Sequence, residues 1–176
     1  NIIANRKKVA ICCAPVRKDL PNIEEPDTRL EDGSAPKRIL IIGGSQGAAA
    51  LNEIVPSAIE ILSASMPIEV WHQTGKGRMQ DVVMAYQKFT SEVRVSEFVD
   101  DMAEAYRWAD LIICRSGAIT LAEIAVVGLA SVLVPYPYAV DDHQTSNAQS
   151  FVTAGAASLV AESDLNASNL AELLTK

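Results

Sequence analysis

Three short polar segments of the sequence, two of which contain glycine, have the residue types that bind a phosphorylated, hydroxyl-rich ligand. They are residues 43–47, residues 115–120 and residues 141–147. A glycine-rich turn that opens a helix leaves backbone N–H groups available for phosphate oxygens. Carboxylate and amide side chains can hydrogen-bond the hydroxyl groups of a sugar. These three segments therefore contain the candidate residues for binding such a ligand.

The first segment, Gly43-Gly44-Ser45-Gln46-Gly47, follows an apolar run at residues 38–42 that is typical of a buried parallel strand. From Ala48 the pattern is helical toward Ile61. A P-loop requires Lys and Ser/Thr after its last glycine, but Ala48 and Ala49 follow here, and the Rossmann G-x-G-x-x-G spacing is also missing. A phosphate site and a tight turn without a ligand both remain open.

The second segment leads into Thr120-Leu121-Ala122-Glu123, which fits a capping box in which Glu123 reaches back to a free N–H group. Alternatively, the Glu123 carboxylate faces a cleft and accepts two hydrogen bonds from a vicinal diol such as a ribose. The spacing favours neither interpretation. Arg17 and Arg115 are candidates to meet a diphosphate.

In the third segment, Gln144 and Asn147 are three residues apart, so on a helix both face the same side and can hydrogen-bond a polyhydroxylated ligand. Asp142 is a candidate N-cap of that helix. The run Asp141-Asp142-His143 lacks the spacing of Cys/His metal ligands, and no D-x-D motif is present. The sequence therefore predicts no metal site.

Alternating strands and helices must position these segments. Strands are expected at residues 9–13, 38–42, 68–72, 93–98, 111–114, 131–134 and 157–160. Helices are expected at residues 48–61 and 78–89, up to residue 108, between 120 and 128, between 141 and 155, and from 164 onward. This order predicts an α/β fold, a Rossmann-like parallel sheet flanked by helices, with ligands at the carboxyl ends of the strands.

Length and composition indicate one globular domain over residues 1–176, with an acidic loop at residues 18–37. Hydrophobic residues make up 49% of the sequence and charged residues 21%, which is typical of a soluble protein. A net charge of −7 argues against nucleic acid as a partner. No apolar run approaches the roughly 18 residues of a membrane span, and no signal peptide is expected. Cys12, Cys13 and Cys114 are expected to be reduced thiols.

Ser45 provides a rival hypothesis. It lies in Gly43-Gly44-Ser45-Gln46-Gly47, which resembles the G-x-S-x-G elbow of a serine hydrolase, and His143 lies downstream. No segment of the sequence indicates an oxyanion hole. A hydrolase therefore remains the alternative from a different class.

The three motifs together resemble one family. Residues 43–48, Arg115-Ser116-Gly117-Ala118 with Thr120 and Glu123, and Pro135-x-Pro137 with Asp142-His143-Gln144 and Asn147-Ala148 are similar to the MurG family. These bacterial transferases add N-acetylglucosamine to lipid I to make lipid II. The resemblance runs from about Ala14 to the end of the chain and implies the C-terminal, donor-binding half of a GT-B glycosyltransferase. It implies an inverting, metal-independent reaction with no cofactor.

The resemblance also implies roles for the residues that bind the nucleotide. Arg17 matches an arginine near the donor, Val99 matches a position whose backbone recognises uracil, and Glu123 matches the carboxylate on the ribose hydroxyls. The loop at the diphosphate and the sugar is matched by Gly44, Ser45 and Gln46. The helix start at the phosphates is matched by Ala118, Ile119 and Thr120.

For the sugar, the resemblance implies His143, Gln144 and Asn147, with Gln144 the principal contact. His143 stands where some relatives carry glutamine. The implied partners are UDP-N-acetylglucosamine and, through an N-terminal acceptor half whose motifs are absent here, lipid I. That half is expected to supply the general base and the membrane contact, which places the enzyme on the cytoplasmic face of the bacterial plasma membrane. Another GT-B-type enzyme, such as a UDP-N-acetylglucosamine epimerase, is the alternative within this fold.

Overall fold

The computed structural model describes residues 16–23, 36–44, 47–89 and 91–175. The strand expected at residues 9–13, the residues Ser45 and Gln46, and the Cys12-Cys13 pair lie outside the described residues, as do residues 24–35 of the expected acidic loop.

A parallel six-stranded sheet forms the centre of the described chain. Its strands are β1 (Lys37–Ile42), β2 (Ile68–Gln73), β3 (Val93–Ser96), β4 (Leu111–Cys114), β5 (Ala130–Leu133) and β6 (Ala157–Leu159). The helices are α1 (Ala49–Ser63), α2 (Met79–Ala85), α3 (Met102–Trp108), α4 (Ala118–Val127), α5 (His143–Thr153) and α6 (Ala167–Thr175). The strand order is β3-β2-β1-β4-β5-β6, so the predicted Rossmann-like fold is confirmed.

Strand β1 shows why this sheet is buried on both faces. Leu40 and Ile42 belong to the hydrophobic core on one face, and Ile39 and Ile41 to the core on the other, because successive side chains alternate across a strand. Helices α3, α4 and α5 cover the first face, and α1, α2 and α6 cover the second. Continuous apolar strands of this kind are typical of parallel sheets.

The strand order reverses next to β1, which pairs with β2 on one side and β4 on the other. In open parallel sheets a crevice forms at such a reversal, outside the carboxyl ends of the strands. The loops that follow β1 and β4 flank this crevice. They contain the first two of the three predicted binding segments.

Most element bounds differ from the sequence-based prediction by a few residues. Three of the differences also concern which side chains are buried. Strand β3 ends at Ser96 rather than residue 98, and Phe98 is exposed. Helix α2 ends at Ala85 rather than residue 89; Val82 and the following Tyr86 are buried, whereas Met79 and Val83 are exposed. Within the expected loop at residues 18–37, Leu20 is buried against the core and begins a short 3₁₀ helix, Leu20–Asn22.

Gly128 confirms the predicted end of α4. It adopts the left-handed conformation with φ of 70°, and its N–H group donates to the carbonyl oxygen of Ile124. Glycine adopts this conformation without the steric cost of a side chain.

A buried histidine joins β2 to two helices. His72 is fully buried; its Nδ1 lies 3.0 Å from the Tyr86 hydroxyl and its Nε2 3.0 Å from Oδ1 of Asn52. Burial lowers the pKa of His72 to about 3, so the imidazole is neutral at physiological pH. Cys114 is a buried free thiol, and burial raises its pKa to about 12.

Within the described ranges, none of the helices combines the length and the apolar character that crossing a bilayer would require.

Candidate functional site

The loop that follows β1 is held in place by a side chain from β2. Oε1 of Gln73 accepts hydrogen bonds from the N–H groups of Gly43 (3.1 Å) and Gly44 (3.0 Å). Its Nε2 donates to the carbonyl oxygens of Gly44 (3.0 Å) and Glu97 (2.7 Å). Gln73 is itself buried. One amide therefore fixes the start of the glycine-rich loop and ties it to the segment that follows β3.

These bonds correct one expectation from the sequence. The N–H groups of Gly43 and Gly44 are paired with Gln73, and that of Gly47 donates to the carbonyl of Gly44 at 2.9 Å, so none of the three is free for phosphate. The glycines shape the loop instead. Gly44 and Gly47 have φ of 81° and 72°, a conformation that side-chain-bearing residues rarely adopt.

Gly47 additionally permits a close backbone approach. A Cβ atom at Gly47 would lie 2.3 Å from the carbonyl oxygen of Thr74, whereas a Cβ at Gly44 would meet nothing within 4 Å. Thr74 follows β2, and its N–H donates to the carbonyl of Ser96 at 2.9 Å. The loops after β1, β2 and β3 therefore pack directly on one another, and Val99 lies just beyond this packed group.

The loop after β4 presents the amino end of α4 to the crevice. The helix begins at Ala118, with Ile119 and Thr120 in its first turn. The N-cap residue is Gly117, which has no side chain to cap the helix. Ile119 is 57% exposed. Ser116, immediately before, is fully buried, and among the described residues its hydroxyl has no hydrogen-bond partner. An uncapped amino end carries N–H groups and the positive end of the helix dipole, both of which favour an anion.

Glu123 is not part of a capping box, so that interpretation is wrong. Because α4 begins at Ala118, Thr120 lies inside the helix and Glu123 projects from its second turn into the protein. Its Oε1 forms an ion pair with the guanidinium of Arg17, and its Oε2 accepts a hydrogen bond of 2.9 Å from the Tyr106 hydroxyl. The Glu123 side chain is 4% exposed and that of Arg17 is 50% exposed.

Tyr106 is a contact that the sequence did not reveal. Burial, together with the neighbouring Glu123 charge, raises the pKa of its hydroxyl, so the group stays protonated at physiological pH and can donate a hydrogen bond. The tyrosine lies on α3 and its partner on α4. No local spacing relates the two residues.

Arg115 is engaged within the fold. Its guanidinium donates to the carbonyl oxygens of Val134 and Pro135, both at 3.1 Å, pairs with the Glu162 carboxylate, and lies 5.5 Å from the ring centroid of Tyr136. Arg115 thus connects the loops after β4, β5 and β6. The structure does not support the hypothesis that Arg115 meets a diphosphate.

The third segment opens α5 beside the same loops. Gln144 accepts from the backbone N–H of Tyr136 at 2.9 Å, and Asn147 donates to the carbonyl of Ser116 at 3.4 Å. Both amides therefore face the loops after β4 and β5, as their spacing predicts. His143, the first residue of the helix, is exposed.

The turn before α5 has an unusual backbone. Asp141 and Asp142 have φ of 51° and 49°, the left-handed region. Asp142 is the N-cap residue, but its carboxylate accepts from the Thr145 hydroxyl at 2.7 Å rather than from a backbone N–H group. The expected backbone cap at Asp142 is therefore not formed.

Comparison with known proteins assigns the chain to a family. The model of the glycosyltransferase family 28 C-terminal domain matches residues 38–176. A relative from Aeromonas hydrophila subsp. hydrophila is 47% identical over 172 residues, which are 98% of this chain and 46% of the relative. One from Shewanella frigidimarina is 52% identical over 139 residues, 78% of this chain and 38% of the relative. Both are named UDP-N-acetylglucosamine--N-acetylmuramyl-(pentapeptide) pyrophosphoryl-undecaprenol N-acetylglucosamine transferase.

Solved structures agree with this match. Acinetobacter baumannii MurG is 39% identical, with a TM-score of 0.82 over 89% of this chain and 45% of that structure. A putative UDP-N-acetylglucosamine 2-epimerase from Listeria monocytogenes is 14% identical with a TM-score of 0.57, a likeness of fold alone. The chain spans about half the length of the curated relatives it matches. With the family model matched over residues 38–176, the chain belongs to glycosyltransferase family 28, as a C-terminal domain of the MurG type.

Proposed function

We propose that residues 1–176 form the donor-binding domain of an enzyme that transfers N-acetylglucosamine from UDP-N-acetylglucosamine to lipid I, giving lipid II. The observation that carries this proposal is the pairing of an uncapped helix amino end with a buried carboxylate. Ala118 opens α4 at the crevice, and Glu123 lies on the same helix. One element thereby offers both an anion site and a carboxylate that can accept hydrogen bonds from a diol.

The diphosphate binds at the amino end of α4 in this proposal. The N–H groups of Ala118, Ile119 and Thr120 and the helix dipole stabilise the negative charge that develops on the UDP leaving group as the glycosidic bond breaks. Ser45 and Gln46 supply further contacts from the glycine-rich loop. Gly44 contributes loop shape, because its N–H group is already bonded to Gln73. A metal ion is not needed for this charge stabilisation.

The ribose hydroxyls bind Glu123. Arg17 is paired with one oxygen of that carboxylate, and its half-exposed side chain can exchange for the ribose and turn to the phosphates. The backbone at Val99 recognises the uracil. Gln73 connects the segment after β3, which contains Val99, to the glycine-rich loop after β1. Its amide donates hydrogen bonds to the carbonyl oxygens of both Gly44 and Glu97.

The sugar binds against the start of α5. His143, Gln144 and Asn147 supply its hydrogen bonds, and the loops after β4 and β5 hold the last two in place. The lipid I acceptor, the general base and the contact with the cytoplasmic face of the membrane belong to the N-terminal half of the complete enzyme. The chain spans only about half of its relatives, which supports this division.

A panel of nucleotides tests the proposal. Thermal unfolding of the 176-residue chain is measured with UDP, UDP-N-acetylglucosamine, ADP and GDP. A ligand at 100 times its Kd stabilises the folded state by about 2.7 kcal/mol. For a domain of this size that corresponds to a rise in Tm of roughly 5–10 °C. We expect this rise with the two uridine ligands only.

Two results would contradict the proposal. Equal rises in Tm with all four nucleotides would indicate a site for any nucleoside diphosphate rather than for UDP. The absence of a rise with both uridine ligands would show that the chain does not bind the proposed donor. A fluorophosphonate label on Ser45 would instead favour the hydrolase alternative.

A further inference from the structure

The carboxylate of Glu123 has an inner and an outer oxygen with different partners. The inner oxygen, Oε2, accepts a hydrogen bond of 2.9 Å from the hydroxyl of Tyr106, a residue that is 1% exposed. The outer oxygen, Oε1, is paired with Arg17, whose side chain is 50% exposed. A ligand can therefore reach the outer oxygen by displacing Arg17, whereas the inner oxygen stays inside the core.

A buried carboxylate needs partners that remain when the ligand arrives. The terminal torsion of a glutamate has a broad energy minimum, so an unheld carboxylate rotates easily. A buried charge that loses its partners is also strongly disfavoured. When a ribose replaces Arg17, the described contact that still fixes the carboxylate from within is the Tyr106 hydroxyl.

We propose that Tyr106 is a positioning residue for Glu123: it fixes the inner oxygen so that the outer oxygen is aimed at the ribose hydroxyls. This inference rests on the proposed function, because it needs Glu123 to bind the ribose. It adds a specificity determinant on α3, an element that none of the sequence motifs includes. Tyr106 does not touch the nucleotide and acts through Glu123.

Tyr86 provides a matched control. It is 5% exposed, and its hydroxyl lies 3.0 Å from Nδ1 of the buried His72. Replacing either tyrosine by phenylalanine removes a buried hydroxyl, and with it the hydrogen bond to Glu123 in one case and to His72 in the other. Only the replacement of Tyr106 affects a carboxylate, so a merely structural effect should be common to both variants.

The experiment measures the affinities for UDP and 2′-deoxy-UDP by titration calorimetry. It compares the unaltered 176-residue chain with Tyr106→Phe, Tyr86→Phe, Glu123→Gln and the double variant Tyr106→Phe/Glu123→Gln. All proteins are measured in sucrose, which favours the folded state. The readout is the ratio of the two affinities, because a general loss of stability lowers both affinities and leaves their ratio unchanged.

The unaltered chain should prefer UDP by about tenfold or more, since a hydrogen bond to a charged group is lost with the deoxy ligand. Tyr106→Phe should reduce this preference to less than about threefold, while Tyr86→Phe keeps it. In the Glu123→Gln background, adding Tyr106→Phe should change the ratio no further, because the two residues act as one unit.

Three results would overturn the proposal. The first is a Tyr106→Phe chain that keeps the full preference for UDP. The second is failure of Tyr106→Phe to fold when Tyr86→Phe folds, since the hydroxyl would then be a structural requirement. The third is UDP binding by the unaltered chain without any preference, which contradicts the ribose contact itself. Absence of UDP binding by the unaltered chain would instead contradict the proposed function.

Discussion

At the scale of single residues, we propose that Gln144 is the side chain that distinguishes one sugar from another. Its Oε1 is committed to the N–H group of Tyr136, which fixes the orientation of the amide. The Nε2 end of the same amide is then presented in a defined direction. An oriented amide discriminates between epimers, because the wrong hydroxyl configuration leaves a polar group unpaired.

We therefore expect Gln144→Ala to weaken binding of UDP-N-acetylglucosamine by roughly 1–3 kcal/mol while leaving UDP affinity nearly unchanged. Titration calorimetry with both ligands measures the difference. Gln149→Ala is a suitable control, since Gln149 is exposed on the same helix. Equal losses for the two ligands would place Gln144 away from the sugar.

His72 makes the stability of the chain sensitive to acid. Its pKa is about 3 in the folded chain and 6.5 when unfolded, so between these values the unfolded chain binds a proton that the folded chain does not. The stability that the neutral, buried ring confers is fully present above pH 6.5 and is lost as the pH falls toward 3.

The free energy of unfolding should therefore fall by up to about 1.4 kcal/mol per pH unit from this residue alone. Urea denaturation between about pH 6 and pH 4 measures the slope. His72→Gln should reduce the slope by about one proton, and His143→Gln, at an exposed position, should keep it. Identical slopes for the unaltered chain and His72→Gln would contradict the assignment.

Residue identity was easier to predict from the sequence than residue partnership. Gln144 and Asn147 share a helix face, so local spacing was enough to predict that their amides point the same way. Tyr106 and Glu123 lie on different helices, and Gln73 on β2 reaches Gly43 after the neighbouring strand β1. Such contacts depend on strand register and helix packing, which no short sequence pattern contains.

At the scale of elements, the glycine-rich turn is shaped by the strand beside it. Gly44 and Gly47 share a left-handed conformation, but only Gly47 faces a close neighbour, the carbonyl oxygen of Thr74.

Most strand and helix positions followed from apolar periodicity, and β4 has the predicted bounds. The ends of β3 and α2 did not follow from periodicity. They depend on the packing of neighbouring elements, which the local pattern does not contain.

The two glycines give a matched pair of variants. Gly44→Ala should cost about 1–2 kcal/mol of unfolding free energy, the strain of the left-handed conformation alone. Gly47→Ala adds a Cβ 2.3 Å from Thr74 and should cost clearly more, because backbone must move. Urea denaturation of both variants measures the difference. A Gly47→Ala chain as stable as Gly44→Ala would show that the two loops are not in close contact.

At the scale of the whole molecule, the sheet brings together loops that are far apart in the sequence. Gly44 follows β1, Ala118 follows β4 and Gln144 opens the helix after β5, yet the strand order places all three at one edge. The Rossmann-like fold, and the edge of the sheet at which these three segments meet, could therefore be predicted from the sequence. We propose that these loops form the donor half of the active site and that a second half brings the acceptor.

The last prediction concerns transfer itself. Group transfer requires donor and acceptor to be held together in a closed site, and we place the acceptor site and the general base outside these 176 residues. The chain should therefore bind UDP-N-acetylglucosamine but transfer no sugar to a lipid I analogue, as measured by release of UDP. Adding the N-terminal half of the Aeromonas hydrophila relative in trans should restore part of the transfer. A chain variant with Gln144→Ala, treated in the same way, should restore less. Turnover by the purified chain alone, with contaminating full-length enzyme excluded, would show that the acceptor and base functions lie within it.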